Sequence, residues 1–335
     1  MLFFSAGLLH NRIDMFINYY ICDMQIILTQ IAMLALMASV GAVAFLAKLI
    51  KEDTANGMVK LVTKITLPLL IFTTFAGNET NPEILKNSAI VIALSMGSVV
   101  LFFAMAGVSA RILRLSRDNT ALHRVSAMFG NVVFLGFPII NALYPGGEGL
   151  IYATMFHLGQ NALIWTWGVF ILYSSRNRQG GKAWKNLLNP VTMAFAAGIT
   201  FMFLPVTIPD IILSPLSHIG KTTTYISMVY VGAVLAMVNP LRVFTNIRSY
   251  LVSFNKLLLV PAILLLLLKY AGLAGLLHMN STAVGVVVLL AGMPCMILIS
   301  VLVRDLDLDY KQSVGNIFLS TVLSFATISF LFWLL

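Results

Sequence analysis

Long apolar runs, repeated from one end to the other, constrain this chain more than any other feature of its sequence. Ten runs approach the length of about 20 residues that a helix needs to cross a bilayer. They are continuous, whereas the strands of a membrane barrel alternate in segments of about 10 residues. We therefore predict an all-α polytopic membrane protein with ten transmembrane helices, at residues 25–49, 55–76, 88–110, 121–143, 149–173, 188–206, 219–238, 250–270, 281–302 and 312–335.

Composition agrees with this class and excludes several others. Hydrophobic residues make up 59% of the chain and charged residues only 10%, which is far from the balance of a soluble domain. The two cysteines, Cys22 and Cys295, form no pattern with each other or with histidine. We therefore predict no disulfide framework, no metal site and no cofactor.

Basic residues predict the orientation, because short cytoplasmic loops retain lysine and arginine. With the N-terminus outside, seventeen of the 21 basic residues, Lys256 among them, fall in inner loops or at inner helix ends. Both termini are then on the outer side of the cell membrane, which is the plasma or inner membrane. The net charge of +9 is mostly this loop bias, so no nucleic-acid partner is predicted. The basic residues that fall outside are Arg12, Lys86, Lys221 and Lys269.

A short motif recurs at half the length of the chain. The triplet "GFP" at 136–138 is matched by "GMP" at 292–294, 156 residues later, and the same offset carries Gly159 onto Gly315. Two halves with five helices each would have opposite orientations, as in many transporters. Coincidence is the alternative, because the chain has 23 glycines; the repeated triplet in equivalent helices favours an inverted repeat.

The repeat divides the chain into four parts. Residues 24–175 form the first five-helix repeat, 176–187 a cytoplasmic linker and 188–335 the second five-helix repeat. Residues 1–23 differ, because "HNRID" interrupts the apolar run after Leu9 and no signal-peptide cleavage site follows. We interpret them as an N-terminal tail on the outer side, or as the product of an upstream translation start.

Two segments also resemble a known family. "GNVVFLGFPIINALYPGGEGL" with the following Asn161, and "AGMPCMILISVLV" before the last helix, are similar to the auxin efflux carrier family of membrane transporters. The resemblance implies ten helices in two inverted five-helix repeats, similar to the bile acid sodium symporter fold, with broken helices four and nine that cross. It implies transport of organic anions: auxin in plant members, and small dicarboxylates such as malate or malonate in bacterial ones. The short central loop is typical of a compact, prokaryote-style member.

The prolines of the two triplets predict where the helices break. Pro138 has no N–H for the carbonyl of Phe134, and Pro294 likewise frees the carbonyl of Leu290. A break leaves free N–H groups and a partial charge of about +0.5 at a helix N-terminus. Two such ends could bind an anion, and the freed carbonyls a cation. We expect the breaks at Gly136–Pro138 and Gly292–Pro294.

Amide side chains near these breaks are the candidate ligands. Each has a simpler alternative: membrane asparagines often only bond a neighbouring helix, and the glycines of this set could only permit close packing. His157 could relay protons, or could be solvated at the outer end of its helix. Gln160 is a supporting polar residue. The substrate-binding candidates are Asn131, Gly136, Pro138, Asn141, Asn161, Gly292, Met293, Pro294 and Asn316.

The function that fits these features is secondary transport of a small organic anion by alternating access. All twelve acidic residues fall in predicted loops or at helix ends, so a buried carboxylate cannot couple an ion. A coupling ion, H⁺ or Na⁺, and a homodimer remain open, as does a membrane sensor that binds a ligand without moving it. An intramembrane enzyme is disfavoured, because no HExxH or GxSxG motif is present and His157 has no acidic neighbour.

Overall fold

The computed structural model describes residue 29 and residues 32–77, 82–176, 190–203, 208–237 and 243–335. The predicted tail 1–23 and all but the first residue of the predicted linker 176–187 lie outside these ranges. The helices are α1 Ala32–Leu46, α2 Glu52–Ala76, α3 Pro82–Ile112, α4 Arg117–Met128, α5 Val132–Leu143, α6 148–175, α7 Pro190–Phe203, α8 Asp210–Ala236, α9 Ile247–Tyr270, α10 Leu273–Leu277, α11 Ser281–Ala291, α12 Leu298–Asp305 and α13 Tyr310–Leu334.

The prediction of an all-α membrane protein is confirmed. The regular secondary structure of the described residues is helical, and their only β contact is an isolated antiparallel bridge between Gly130 and Cys295. Four helices, α2, α3, α9 and α13, are long and apolar enough to cross a bilayer, and α1, α5, α7 and α11 are shorter apolar helices. Large apolar side chains are exposed on the surface of these helices, such as Leu36, Val40 and Val43 on α1.

The helices pack in two groups. In the first group, α2 packs on α7 and α8, and α1 lies against α8. In the second group, α3 packs on α4 and α6, α11 on α3, α6 and α9, and α13 on α9 and α12. Contacts of α8 with α5 and of α2 with α6 join the groups.

Two glycines bring the backbones of α1 and α8 into contact. A Cβ atom at Gly41 would lie 1.9 Å from the carbonyl oxygen of Val229, and one at Gly232 would lie 1.7 Å from that of Ala38. Both distances are far below contact distance, and both partners are backbone atoms that no side-chain rotation can move. Glycine at these positions therefore determines how closely α1 approaches α8.

We expect Gly232→Ala to destabilise the first helix group, because the added methyl forces α1 and α8 apart. Overpacking of this kind typically costs about 1–3 kcal/mol. The matched control is Gly97→Ala, where no atom lies within 4 Å of the added Cβ. Thermal unfolding of the purified variants measures the effect, and equal melting temperatures for both would contradict the close packing.

Four prolines lie inside the described helices: Pro215 in α8, and three others that each come just after a π-helical turn. The turns are Val62–Thr66, Val132–Gly136 and Asn255–Leu259, and the prolines, Pro68, Pro138 and Pro261, follow each turn two residues later. In a π turn the N–H groups bond the carbonyl five residues back, which accommodates a proline without ending the helix.

The predicted break at Gly136–Pro138 is therefore wrong. The Gly136 N–H donates to the Asn131 carbonyl over 3.1 Å and the Phe137 N–H to that of Val132, so α5 continues past Pro138. The helix is instead interrupted at 129–131, where Phe129 adopts an extended conformation (φ −113°, ψ 127°). The predicted break at Gly292–Pro294 is confirmed, since α11 ends at Ala291 and α12 begins at Leu298.

Candidate functional site

The two irregular segments, 129–131 and 292–297, cross each other and are joined through their backbones. The Asn131 N–H donates to the Pro294 carbonyl over 2.7 Å, and the Met296 N–H donates to the Phe129 carbonyl over 3.0 Å. These bonds flank the Gly130–Cys295 bridge. We call this point the crossing. One end each of α4, α5, α11 and α12 adjoins it, which brings free helix-end groups together inside the protein.

Unpaired hydrogen-bond donors surround Gly130 at the crossing. The Asn131 Oδ1 accepts the Phe134 N–H over 3.3 Å and so caps α5, while the Gln160 Oε1 accepts the Gly130 N–H over 3.3 Å. The amide nitrogens of both side chains are buried and have no hydrogen-bond partner within the structure. The Nζ of Lys256 is also buried and without a hydrogen-bond partner.

All three unpaired groups are donors. Carboxylate and phosphate oxygens only accept hydrogen bonds when ionised, so an anion supplies what these groups lack. A metal cation supplies nothing to an ammonium or to an amide nitrogen. The chemistry of the crossing therefore suits a small anion, and within the described part of the chain no group of three metal-binding side chains is found.

Lys256 was missed by the sequence analysis, which counted it among residues of inner loops and helix ends. That assignment is wrong: Lys256 lies in the π turn within α9 and is 0% exposed. Its Nζ is 3.9 Å from the centre of the Phe102 ring, and a Cβ at Gly130 would lie only 3.2 Å from it. A usable signal was present, because a lysine six residues inside a predicted span is a functional candidate by default.

Hydrogen bonds hold the turn that carries Lys256 in place. The neighbouring Asn255 donates from Nδ2 to the Ser109 Oγ over 2.8 Å, and that hydroxyl also bonds the His123 Nε2 over 2.7 Å. All three residues are buried. These hydrogen bonds connect α9 to α3 and α4. They fix the π turn that carries Lys256, and so keep this side chain next to the crossing.

Asn316 lies in a separate polar network, in which both its amide oxygen and its amide nitrogen have hydrogen-bond partners. Its Oδ1 accepts bonds from the Ser249 Oγ over 3.0 Å and the Gln312 Nε2 over 2.8 Å, and its Nδ2 donates to the Ser126 Oγ over 3.2 Å. These bonds join α13 to α9 and α4. This arrangement corresponds to the simpler alternative, in which an amide only bonds neighbouring helices.

The two remaining candidates on α6 are buried and engaged locally. The Asn161 Oδ1 accepts the Trp165 indole N–H over 3.2 Å, one turn further along the helix. His157 is 6% exposed and packs edge-to-face on Phe137, with ring centres 6.1 Å apart. The alternative that His157 is solvated at the helix end is therefore wrong, and its ring lies beside α5.

The candidate glycines and Met293 are packing positions. A Cβ at Gly136 would lie 2.7 Å from the Leu290 Cδ2, and one at Gly292 would lie 2.6 Å from the Leu331 Cδ1. Met293 is fully buried. At these sites the structure favours close packing over contact with a substrate.

A crevice of about 650 Å³ lies between the two helix groups. Thr73 of α2 and Tyr225 of α8 line one wall, and two predicted residues, Pro138 and Asn141 of α5, line the other. Lys221 is the one charged side chain among the described residues that line it. The crevice is therefore positive and borders the predicted site residues of α5.

An aromatic pair joins α5 to α8. The rings of Phe134 and Tyr230 contact each other with centres 5.3 Å apart. Phe134 lies between the crossing and Pro138 along α5, and Tyr230 lies about one turn beyond Tyr225 along α8. The pair is one contact between α5 and α8, and neither ring belongs to the described lining of the crevice.

A membrane-embedded helical bundle with broken helices that cross, and with a crevice between two helix groups, has the architecture of a membrane transporter. The family follows from comparison with known proteins. The model of the family described as "Membrane transport protein" matches residues 26–334. The chain belongs to this family, which confirms the resemblance to the auxin efflux carriers.

Two archaeal proteins are similar over most of their length. An uncharacterized transporter of Methanothermobacter thermautotrophicus is 27% identical over 282 residues, which cover 83% of this chain and 88% of that protein. An uncharacterized transporter of Methanocaldococcus jannaschii is 22% identical over 304 residues, which cover 90% of this chain and 96% of that protein. Both similarities agree with a compact prokaryote-style member.

Proposed function

We propose that this protein is a secondary transporter, or permease, that moves a small organic anion across the membrane by alternating access. The observation that supports the choice of an anion is the set of three unpaired donors at the crossing, those of Asn131, Gln160 and Lys256. Carboxylates such as malate, malonate or an auxin-like acid carry the complementary acceptors. The positive crevice with Lys221 favours the same charge.

The proposal includes ten spans in two inverted repeats. The order of the described helices supports it: α1 to α3, a fourth span broken into α4 and α5, and α6, then α7 to α9, a span broken into α11 and α12, and α13. In this arrangement both termini lie outside the plasma membrane, as the distribution of basic residues predicts. The two breaks do not fall at positions related by the 156-residue offset.

Energetics require the site to be reached through water. Full desolvation of an anion costs tens of kcal/mol by Born estimates, whereas one helix end returns at most about 2 kcal/mol. The crevice supplies an aqueous path as far as Pro138, and relative movement of the two helix groups would have to open the rest. A movement of α8 away from α5 would part the rings of Phe134 and Tyr230, which are in contact in this structure.

Membrane potential limits the direction. Each charge that moves through about 100 mV changes the free energy by about 2.3 kcal/mol, so a dianion that enters alone climbs roughly 4.6 kcal/mol. Either cations accompany uptake or the protein exports anions. A protonatable group at the site, such as Lys256, would supply the proton as the accompanying cation.

Counterflow tests the proposed function directly. Proteoliposomes loaded with unlabelled malate, malonate or indole-3-acetate should accumulate the labelled acid transiently. The reason is that an alternating-access carrier exchanges internal for external substrate faster than it produces net transport. Empty liposomes and an unrelated cation serve as controls. If folded protein exchanges none of the acids, the proposed function is wrong; if an acid binds but does not exchange, the protein is a sensor instead.

A further inference from the structure

Among the described residues, no group around Lys256 would balance a positive charge on its side chain. Its ammonium group faces the Phe102 ring of α3, Gly130 at the crossing and the segment that contains Cys295. Within the described ranges, the Cys295 thiol is the one titratable group that interacts with it, and no described acidic residue forms an ion pair with Lys256. Neither the helix on which it lies nor those packed on it supply a counter-ion.

The charged form of a buried lysine is unfavourable when no counter-ion is present. Burial of an isolated cation is costly even after local relaxation, and contact with an aromatic ring returns only part of that cost. Such a group stays charged only when an anion joins it; otherwise it releases a proton and persists as a neutral amine. The amine is still a donor, which fits its position beside two unpaired amides.

We propose that Lys256 binds the carboxylate of the transported anion and takes up one proton as it does so. This inference rests on the proposed function, and it identifies the charged ligand of the site and the coupling ion. In the empty site the side chain is a neutral amine. One proton from the aqueous side joins the amine, and the resulting ammonium pairs with the carboxylate, so that a proton and an anion occupy the site together.

Geometry gives the supporting contacts their roles. The Gln160 Nε2 and the Asn131 Nδ2 are donors held by their own oxygens, which bond the Gly130 N–H and the Phe134 N–H. Both amides are thereby oriented by backbone groups at the crossing, and each keeps a free N–H₂ for a carboxylate oxygen. Lys256 thus supplies the positive charge that pairs with the carboxylate, and the two amides orient that carboxylate through hydrogen bonds.

With a protonated Lys256, the bound anion needs no metal ion beside it. A protonated Lys256 provides the positive charge that a bound sodium ion would otherwise supply beside the anion. A monocarboxylate and its proton then cross as a neutral pair, so the membrane potential neither drives nor opposes their movement. We therefore expect exchange to respond to a pH gradient and not to a sodium gradient.

Proton uptake is the first test. Malate is added to the purified wild-type protein in weakly buffered detergent solution, and a pH indicator records the protons taken up. We expect the protein to take up about one proton per bound malate over the range of pH in which the empty amine is neutral and the occupied one is charged. By linkage, the malate Kd should rise about tenfold per pH unit in that window. Binding without proton uptake would overturn the proposal.

Substitution of the lysine is the second test. Lys256→Met keeps the length of the side chain and removes the charge, so the fold should be at least as stable as the wild type. We expect malate exchange in proteoliposomes to fall by about 100-fold, and malate should no longer raise the melting temperature. The matched control, Lys60→Met, changes an exposed lysine of α2 and should exchange malate normally.

The outcomes separate this inference from the function on which it rests. If the wild-type protein exchanges no carboxylate, the proposed function itself fails. If the wild type exchanges malate and Lys256→Met exchanges it equally well, only the role of Lys256 is wrong. Exchange that depends on a sodium gradient in both proteins would likewise overturn the assignment of the coupling ion.

Discussion

Gly130→Val is expected to abolish most of the transport activity while the protein still folds. A Cβ at this position would lie 3.2 Å from the Lys256 Nζ and 3.4 Å from the Met293 Cβ, and valine adds two further methyl groups. Gly130 does not have a positive φ, so valine introduces no backbone strain there. The methyl groups must instead displace the lysine from the donors with which it is grouped.

The size of the effect follows from overpacking. Such substitutions cost about 1–3 kcal/mol, which lowers substrate affinity by about 5- to 150-fold if the whole cost falls on the substrate-binding state. Initial rates of counterflow at several substrate concentrations measure this, with the folded fraction determined by size-exclusion chromatography. Gly97→Val is the matched control, because its Cβ meets no atom within 4 Å. Equal rates for both variants would place the site away from the crossing.

Hydrophobic length explains why the sequence predicts the class so well. A bilayer imposes a minimum length of apolar residues on each helix, and this requirement is visible without knowledge of any tertiary contact. The predicted run 250–270 differs from α9, Ile247–Tyr270, by three residues at one end, and 312–335 differs similarly little from α13. Where the helix is apolar and continuous, local sequence decides its limits.

The first break shows where this reasoning fails. A proline interrupts the normal hydrogen-bond pattern, and Pro138 therefore pointed to a break in its own vicinity. The π turn Val132–Gly136 accommodates Pro138, so the helix continues past the missing hydrogen bond. Neither the presence nor the register of this turn is evident from composition. The true break has a weaker local signal, because Gly130 followed by Asn131 is a typical turn and helix-capping pair.

The hydrogen-bond partners of the side chains were the least predictable part of the site. Asn131 and Asn316 are both asparagines inside apolar segments, and the sequence treats them alike. The Asn316 amide is satisfied by Ser126 and Ser249, which are distant in sequence, whereas the Asn131 Nδ2 remains unpaired at the crossing. Only the packing of helices distinguishes a structural amide from one that is available to a ligand.

Lys221→Glu should weaken transport of anions strongly, because it reverses the one charge among the described residues of the crevice. At a separation of about 7 Å and an effective dielectric constant of about 40, a unit charge contributes roughly 1 kcal/mol to attraction of a monoanion. Neutralisation by Lys221→Gln should then raise KM about fivefold, and reversal about 30-fold. Both effects should shrink as the ionic strength rises, because exposed charges are screened.

The control for this prediction is Lys86→Glu, which makes the same charge change on an exposed lysine near the start of α3, away from the crevice. The basic-residue distribution predicts that Lys86 and Lys221 lie on the same side of the membrane, so a general surface-potential effect would alter both variants equally. A selective rise in KM for Lys221→Glu, with kcat nearly unchanged, would show that anions enter through the crevice. Equal behaviour of the two variants would mean that the substrate reaches the crossing by another path, because the charge that lines the crevice would then have no specific influence on it.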